Sequence, residues 1–146
     1  QTVSDITKGL KRQTRASQDD ANQVAGYFQK RNDRESAKAV FAAVKNSIHY
    51  VKESSNRQTA KTLSRAIRDG HGDCKHYAVS IASLLTALGI PNRFRLISQN
   101  FYDKTPTHIY NVAFDRETGK EIILDAVLPH FDSEAIYYHK YDIKTA

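Results

Sequence analysis

The chain of 146 residues contains one cysteine, no methionine and no tryptophan. A single cysteine cannot close an internal disulfide, so the fold must be held by packing. Cys74 is then either a buried small hydrophobe or a thiol kept free for chemistry. No apolar run approaches the roughly 18–20 residues of a membrane span, and no internal repeat or low-complexity segment is present. Without Met, and beginning at Gln1, the chain is expected to be a processed protein or a domain cut from a longer one. No charged n-region with an apolar h-region stands at its start, so the compartment stays open. Acidic residues are also short. Sixteen Asp and Glu face 22 Lys and Arg, a net charge of +6 that favours encounters with anionic partners without identifying one. Hydrophobic residues at 40% and charged residues at 26% are ordinary globular usage, which excludes wholesale disorder and coiled-coil classes.

The first half reads as helical. Apolar positions Ile6, Leu10, Ala21, Val24, Ala25 and Phe28 lie between about Ser4 and Lys30, but the stripe is broken from Lys11 to Asp20, which predicts a partly packed helix. Asn32 and Glu35 form a capping pair. Ala37, Val40, Phe41, Val44, Ile48 and Val51 follow at core-facing spacing, and Ser54, Ser55 and Asn56 end that helix. Thr62 to Arg68 reads as a short helix, and Gly70 with Gly72 as a tight loop. The clearest helix carries Cys74, Tyr77, Ala78, Ile81, Ala82, Leu85 and Leu88 on one side and stops at Gly89 and Pro91. Beyond it the pattern turns to strands at Arg93–Ser98, Ile109–Phe114 and Glu121–Leu124, the last two joined by the turn Asp115–Gly119. Phe131, Ile136, Tyr137, Tyr138 and Tyr141 are enough to dock a final edge strand or loop. Helices first and strands afterwards predict an α+β domain, with a helix packed on an antiparallel sheet.

Cys74 follows Gly72-Asp73 at the first turn of the strong helix. A helix start supplies partial positive charge and unpaired N–H groups, which favour a thiolate and would also hold an oxyanion formed on sulfur attack. Asp73 stands where an N-cap belongs. A thiol nucleophile needs an imidazole and a group to orient it. Of His49, His71, His76, His108, His130 and His139, only His108 falls in a predicted strand of the sheet on which the cysteine helix would pack. Asp125 closes the apolar run Ile122-Ile123-Leu124, an odd place for a carboxylate without a partner. A turn centred on Glu117–Thr118 places His108 opposite Val127, with Asp125 two residues away at a diagonal separation of roughly 7–8 Å. A half-step shift of that turn puts them on opposite faces. His108 then reads as an exposed strand residue and Asp125 as a strand-end cap.

The run from Tyr50 through Leu124 resembles the transglutaminase-like superfamily of papain-like fold enzymes. The matching parts are Gly72-Asp73-Cys74 opening a helix, Ala78 to Leu88 continuing it, and the stop Gly89-Ile90-Pro91. The strand Arg93-Phe94-Arg95-Leu96, the strand Thr107-His108-Ile109-Tyr110 and the ending Leu124-Asp125 follow in the family's order. The resemblance implies a papain-like core with additional N-terminal helices, so that 1–146 is one domain with a helical part (1–56) and a catalytic core (57–146). It implies Cys74 as nucleophile, His108 as general base and acid, and Asp125 as the group that orients the imidazole. An upstream polar side chain often serves the family as a second oxyanion donor; Gln58 is the candidate, ahead of Asn56, and a solvent-facing amide is its alternative. The chain departs from the pattern where many members have an acidic residue just after the cysteine, which here reads Lys75-His76, and where many have a Trp before the Asp, which here reads Ile122-Ile123.

The activity so implied is hydrolysis of an amide or peptide bond through a thioester, on a protein or peptide substrate. Its alternatives are amine transfer of the crosslinking transglutaminase kind and a noncatalytic interaction domain within a larger protein or assembly. No Asp-x-Asp-x-Asp calcium loop accompanies it. Cys74 with His71, His76 and His108 would be a zinc set, but nothing else has ligand-pair spacing, so neither metal nor cofactor is expected. Lys8, Lys11, Arg12 and Arg15, with Lys30, Arg31 and Arg34, read as a solvated face rather than a nucleic-acid surface.

Overall fold

The computed structural model describes residues 3–51, 62 and 71–145. Among them the chain is α+β, with helices leading and an antiparallel sheet following. Helix α1 spans Val3–Val24 and runs into a short 3-10 turn at Ala25–Phe28; α2 spans Asp33–Ser47 and α3 spans Cys74–Ala87. Strands β3 (Asn92–Ser98), β4 (His108–Phe114), β5 (Glu121–Leu124) and β6 (His139–Lys144) lie side by side in the order β5-β4-β3-β6. Two-residue strands β1 (His49–Tyr50) and β2 (His71–Gly72) pair in parallel apart from that sheet. The expected short helix at Thr62–Arg68 and the candidate Gln58 lie outside the described residues, Thr62 excepted.

Helix α3 is the centre of the molecule. Its apolar residues suggest a one-sided stripe, yet every residue from Lys75 to Leu85 is buried. Ala78, Val79 and Ala82 pack with Leu10 of α1 and with Phe94 and Leu96 of β3. Tyr77, Ile81, Leu84 and Leu85 pack with Val40, Phe41 and Val44 of α2 and with Ile122 and Leu124 of β5. The helix is thus enclosed by two helices and the sheet, and small residues stand where its neighbours approach. Its end is a Schellman turn, in which Gly89 N–H donates to Thr86 O and Ile90 N–H to Leu85 O, both at 3.0 Å. Gly89 takes φ 75° there, which explains the glycine.

Helix α1 is packed along its length, contrary to the broken stripe in its sequence. Leu10, Thr14, Ser17 and Ala21 are all buried and recur at helical spacing. The Thr14 and Ser17 hydroxyls donate to Leu10 O at 2.7 Å and Gln13 O at 2.8 Å, one turn back. A hydroxyl satisfied by its own helix enters a core without stranding a polar group, so hydropathy alone underestimates this face. Helix α2 begins as expected, with Asn32 Oδ1 accepting from Glu35 N–H at 2.8 Å. It ends earlier than its apolar spacing predicts. Ile48 turns extended and gives its carbonyl to the Tyr77 hydroxyl at 2.8 Å, leaving His49–Tyr50 to form β1 and Val51 exposed. Gly72 lies in β2 rather than in a free loop.

The hairpin register Asn111↔Leu124 and Ala113↔Ile122 corresponds to a turn at Glu117–Thr118. The tail supplies β6, which pairs with the other edge of β3 through Leu96↔Tyr141. One charge ties this part together. Arg95 is fully buried and forks onto Asp142 (Nε–Oδ1 2.7 Å, Nη2–Oδ2 2.9 Å), with further bonds to Glu134 at 2.8 Å and Glu121 at 3.1 Å. Arg95 is the buried member and its carboxylate partners reach solvent, so Arg95→Ala, which ends these charged hydrogen bonds, should lower unfolding stability by about 2 kcal/mol in urea. A loss below about 1 kcal/mol would class the cluster with ordinary surface pairs.

Candidate active site

Cys74 opens α3 and is half-buried, so its sulfur is held but reachable. The turn beneath it is built by Asp73. The Asp73 carboxylate accepts Lys75 N–H at 3.0 Å, and its carbonyl accepts the N–H groups of His76 at 3.1 Å and Tyr77 at 3.2 Å. His76 completes a capping box in return, its Nδ1 accepting Asp73 N–H at 2.8 Å. An imidazole nitrogen does here what a Glu or Gln side chain does in the usual box. Three donors of the first turn are thereby satisfied, whereas no described hydrogen bond uses the N–H of Cys74 itself. That N–H and the positive end of the helix dipole are left beside the sulfur.

His108 is the first residue of β4, and Asp125 follows the last residue of β5. Continuing the observed register sets His108 opposite Val127, and the imidazole reaches diagonally to the carboxylate, with Nε2 and Oδ2 2.6 Å apart. The other carboxylate oxygen accepts Val127 N–H at 3.2 Å, so both oxygens of the buried Asp125 are placed. The Cys74 sulfur lies near enough to act on the same ring. With Nε2 engaged by Asp125, Nδ1 is the ring nitrogen left for the sulfur. Burial opposes a charged ring, but the hydrogen bond to Asp125 and the interaction with Cys74, with attraction from both, push the His108 pKa up to about 9. The imidazole is therefore cationic at neutral pH.

Asn111 sets the helix against the strand. Its Nδ2 donates to Ala78 O at 3.1 Å, linking a point one turn past Cys74 to a point three residues past His108. Tyr50 and Tyr77 border the site from the other side, their rings stacked at 6.1 Å with an interplanar angle of 18°. Burial raises the Tyr50 pKa, and the negative charges of Cys74, Asp73 and Asp125 raise it further, so its phenol lies in the field of all three. Neither Asn111 nor Tyr50 stands out in the sequence as a site residue. An asparagine inside an apolar strand was the available signal for the first; for the second only the short β1–β2 pairing reveals the position.

Of the sequence candidates, His108 and Asp125 pair directly and Cys74 acts on the same ring, while Gln58 lies outside the described residues. His76 is turned into the capping box. Among the described residues no group of three His, Cys, Asp or Glu side chains is gathered as a metal would require, and no helix is long and apolar enough to cross a membrane.

None of the curated proteins matches this chain. Solved structures do. It is similar to a candidate protease from Parabacteroides distasonis (TM-score 0.67, 16% identity, covering 82% of this chain and 25% of that one). A candidate cysteine protease from Cytophaga hutchinsonii aligns with TM-score 0.56 and 24% identity over 77% of this chain and 37% of that one. A protein titled a TGase aligns with TM-score 0.54 and 14% identity over 86% and 35%. At such identities the likeness establishes the fold, and the chain spans between a quarter and somewhat more than a third of those proteins. The sequence model of the transglutaminase-like superfamily matches residues 12–120, which is most of the chain and includes both Cys74 and His108. The chain belongs to the transglutaminase-like superfamily.

Proposed function

We propose that this chain acts as one domain and is a cysteine-dependent hydrolase that cleaves an amide or peptide bond of a protein or peptide through a thioester. Cys74 is the nucleophile, His108 the general acid and base, and Asp125 the orienting group. The observation that carries this reading is the 2.6 Å pairing of His108 with Asp125, with Cys74 at a helix start acting on the same ring. Cys74 Sγ attacks the carbonyl carbon, and the oxyanion that forms meets the N–H of Cys74. The His108 proton passes to the departing amine as the C–N bond breaks, leaving a thioester. Water then enters, gives a proton to His108 and attacks the thioester carbon, so the acid leaves and the thiol returns. Asp125 keeps Nε2 fixed throughout, so that Nδ1 serves both steps.

Cys74→Ala should abolish turnover of a peptide-amide or ester substrate while leaving the fold intact. Asp125→Asn should lower kcat by about 10²–10⁴ yet stay measurable, because orientation rather than bond-making is lost. Turnover retained by Cys74→Ala would end the proposal. The acyl acceptor is read by mass spectrometry of products formed with and without a primary amine: free acid in both cases supports hydrolysis, and amide formation assigns amine transfer.

The resting charge state gives a second check. At pH 6, iodoacetamide should label native Cys74 faster than the urea-unfolded chain, since the cationic ring favours an anionic sulfur beside it. Equal rates would remove the electrostatic part of the argument.

Stability should follow the same pair. The folded pKa of His108, about 9, lies above the ordinary 6.5, so this contribution is complete below about pH 6.5 and is lost as pH rises through about 9. The urea midpoint should decline across that window and decline less in Asp125→Asn. Identical slopes would show that the pair does not govern this titration.

A further inference from the structure

Attack on a carbonyl concentrates negative charge on one oxygen, and a single N–H is a thin cradle for it. The Asp73 cap takes the N–H groups of Lys75, His76 and Tyr77, so the first turn of α3 contributes only that of Cys74. A second donor must come from outside the helix. Tyr50 is placed for it from both sides of the nucleophile. Its backbone pairs with Gly72, two residues before Cys74, across a strand spacing of about 4.8 Å. Its ring stacks on Tyr77, three residues after Cys74, and the Tyr77 hydroxyl is itself tied to Ile48 O at 2.8 Å. The backbone of Tyr50 is thus fixed by the strand pairing and its ring by a stacked aromatic face, with 39% of the residue exposed. Among the described residues no hydrogen bond uses the Tyr50 hydroxyl.

We infer that the Tyr50 hydroxyl is the second donor to the oxyanion, acting with the N–H of Cys74; this rests on the acyl-enzyme reading above. The group suits the task. Its burial and the surrounding negative charge of Cys74, Asp73 and Asp125 keep the phenol protonated, so it donates across the whole working range of pH. A neutral donor also leaves the charge balance of the sulfur and imidazole undisturbed.

Tyr50→Phe keeps the ring and its stack while removing the donor. Two reagents separate donation from packing. p-Nitrophenyl acetate acylates sulfur through an oxyanion, with the acetyl carbon gaining the S–C bond and nitrophenolate leaving. Iodoacetamide alkylates the same sulfur by displacing iodide at a saturated carbon, with no oxyanion at all. Tyr50→Phe should slow acylation of Cys74 about 10–100-fold and leave alkylation within about two-fold of wild type. Unchanged acylation would overturn the inference, and so would an equal fall in both rates, which marks a packing role. Slowed acylation in Gln58→Ala but not in Tyr50→Phe would overturn it in favour of Gln58. A wild-type protein that alkylates but never acylates would instead overturn the acyl-enzyme reading and take the Tyr50 role with it.

Discussion

Asp73 holds the first turn of α3 by accepting Lys75, His76 and Tyr77 N–H groups, and the sulfur, the ring and the carboxylate are all placed relative to that turn. If the cap frayed, Cys74 would leave the helix dipole, and the N–H left for an oxyanion would lose its direction. The cap is buried and reciprocal, with His76 returning a bond to Asp73 N–H. Behind it α3 is enclosed along Lys75–Leu85, so Cys74 sits at the start of a helix buried in the core. Asn111 then ties β4 to that helix through Ala78 O, which keeps the His108 strand at a fixed height beside the sulfur.

His108 shows how burial and partners compete. Desolvation alone would discharge an enclosed imidazole. Asp125, whose second oxygen is anchored by Val127 N–H, and the Cys74 sulfur reverse that outcome. The ring is then charged because of its partners rather than despite its burial. The far side of the sheet uses the same logic for a structural end: Arg95 is fully buried, yet Asp142, Glu134 and Glu121 converge on it, and Tyr110 donates to Glu134 as well. Nothing in the alternation Arg93-Phe94-Arg95-Leu96 distinguishes the buried arginine from the half-exposed place a strand charge usually takes. Its carboxylates come from β5, β6 and the segment before β6, which are far apart in sequence.

The same distinction explains what was legible beforehand. Asn32, Gly89 and the glycine-bounded start at Cys74 carry local chemistry, so caps and stops could be read from a few adjacent letters. The hairpin itself was readable from its short turn, but two registers were open, because β4 and β5 are buried without alternation. Only the pairing Asn111↔Leu124 brings His108 to Asp125. Thr14 and Ser17 were not, since a hydroxyl satisfied by the preceding turn looks polar in sequence and behaves as core in place. Ile48 was misleading for a related reason: its spacing continues the α2 face, but Tyr77, 29 residues away, takes its carbonyl and the chain leaves the helix. Tyr50 owes its position to that departure, and so could not be found before the departure was known.

The two residues after Cys74 depart from the acidic pattern common in the superfamily, and their placement gives the departure a physical sense. A carboxylate at either position would add negative charge within the first turn, beside Cys74 and the Asp73 carboxylate. Here His76 supplies the acceptor that the capping box needs without bringing an anion. Lys75 is buried with its ammonium 3.7 Å from Asp73 Oδ2, so the one carboxylate that the cap requires is opposed by a cation on its own turn. The turn keeps its hydrogen-bonding geometry while its net charge moves toward positive. Of the anions near the sulfur, Asp125 is already spoken for by the His108 ring. Lys75 and His76 therefore keep the cap intact while leaving the first turn less negative than a carboxylate there would.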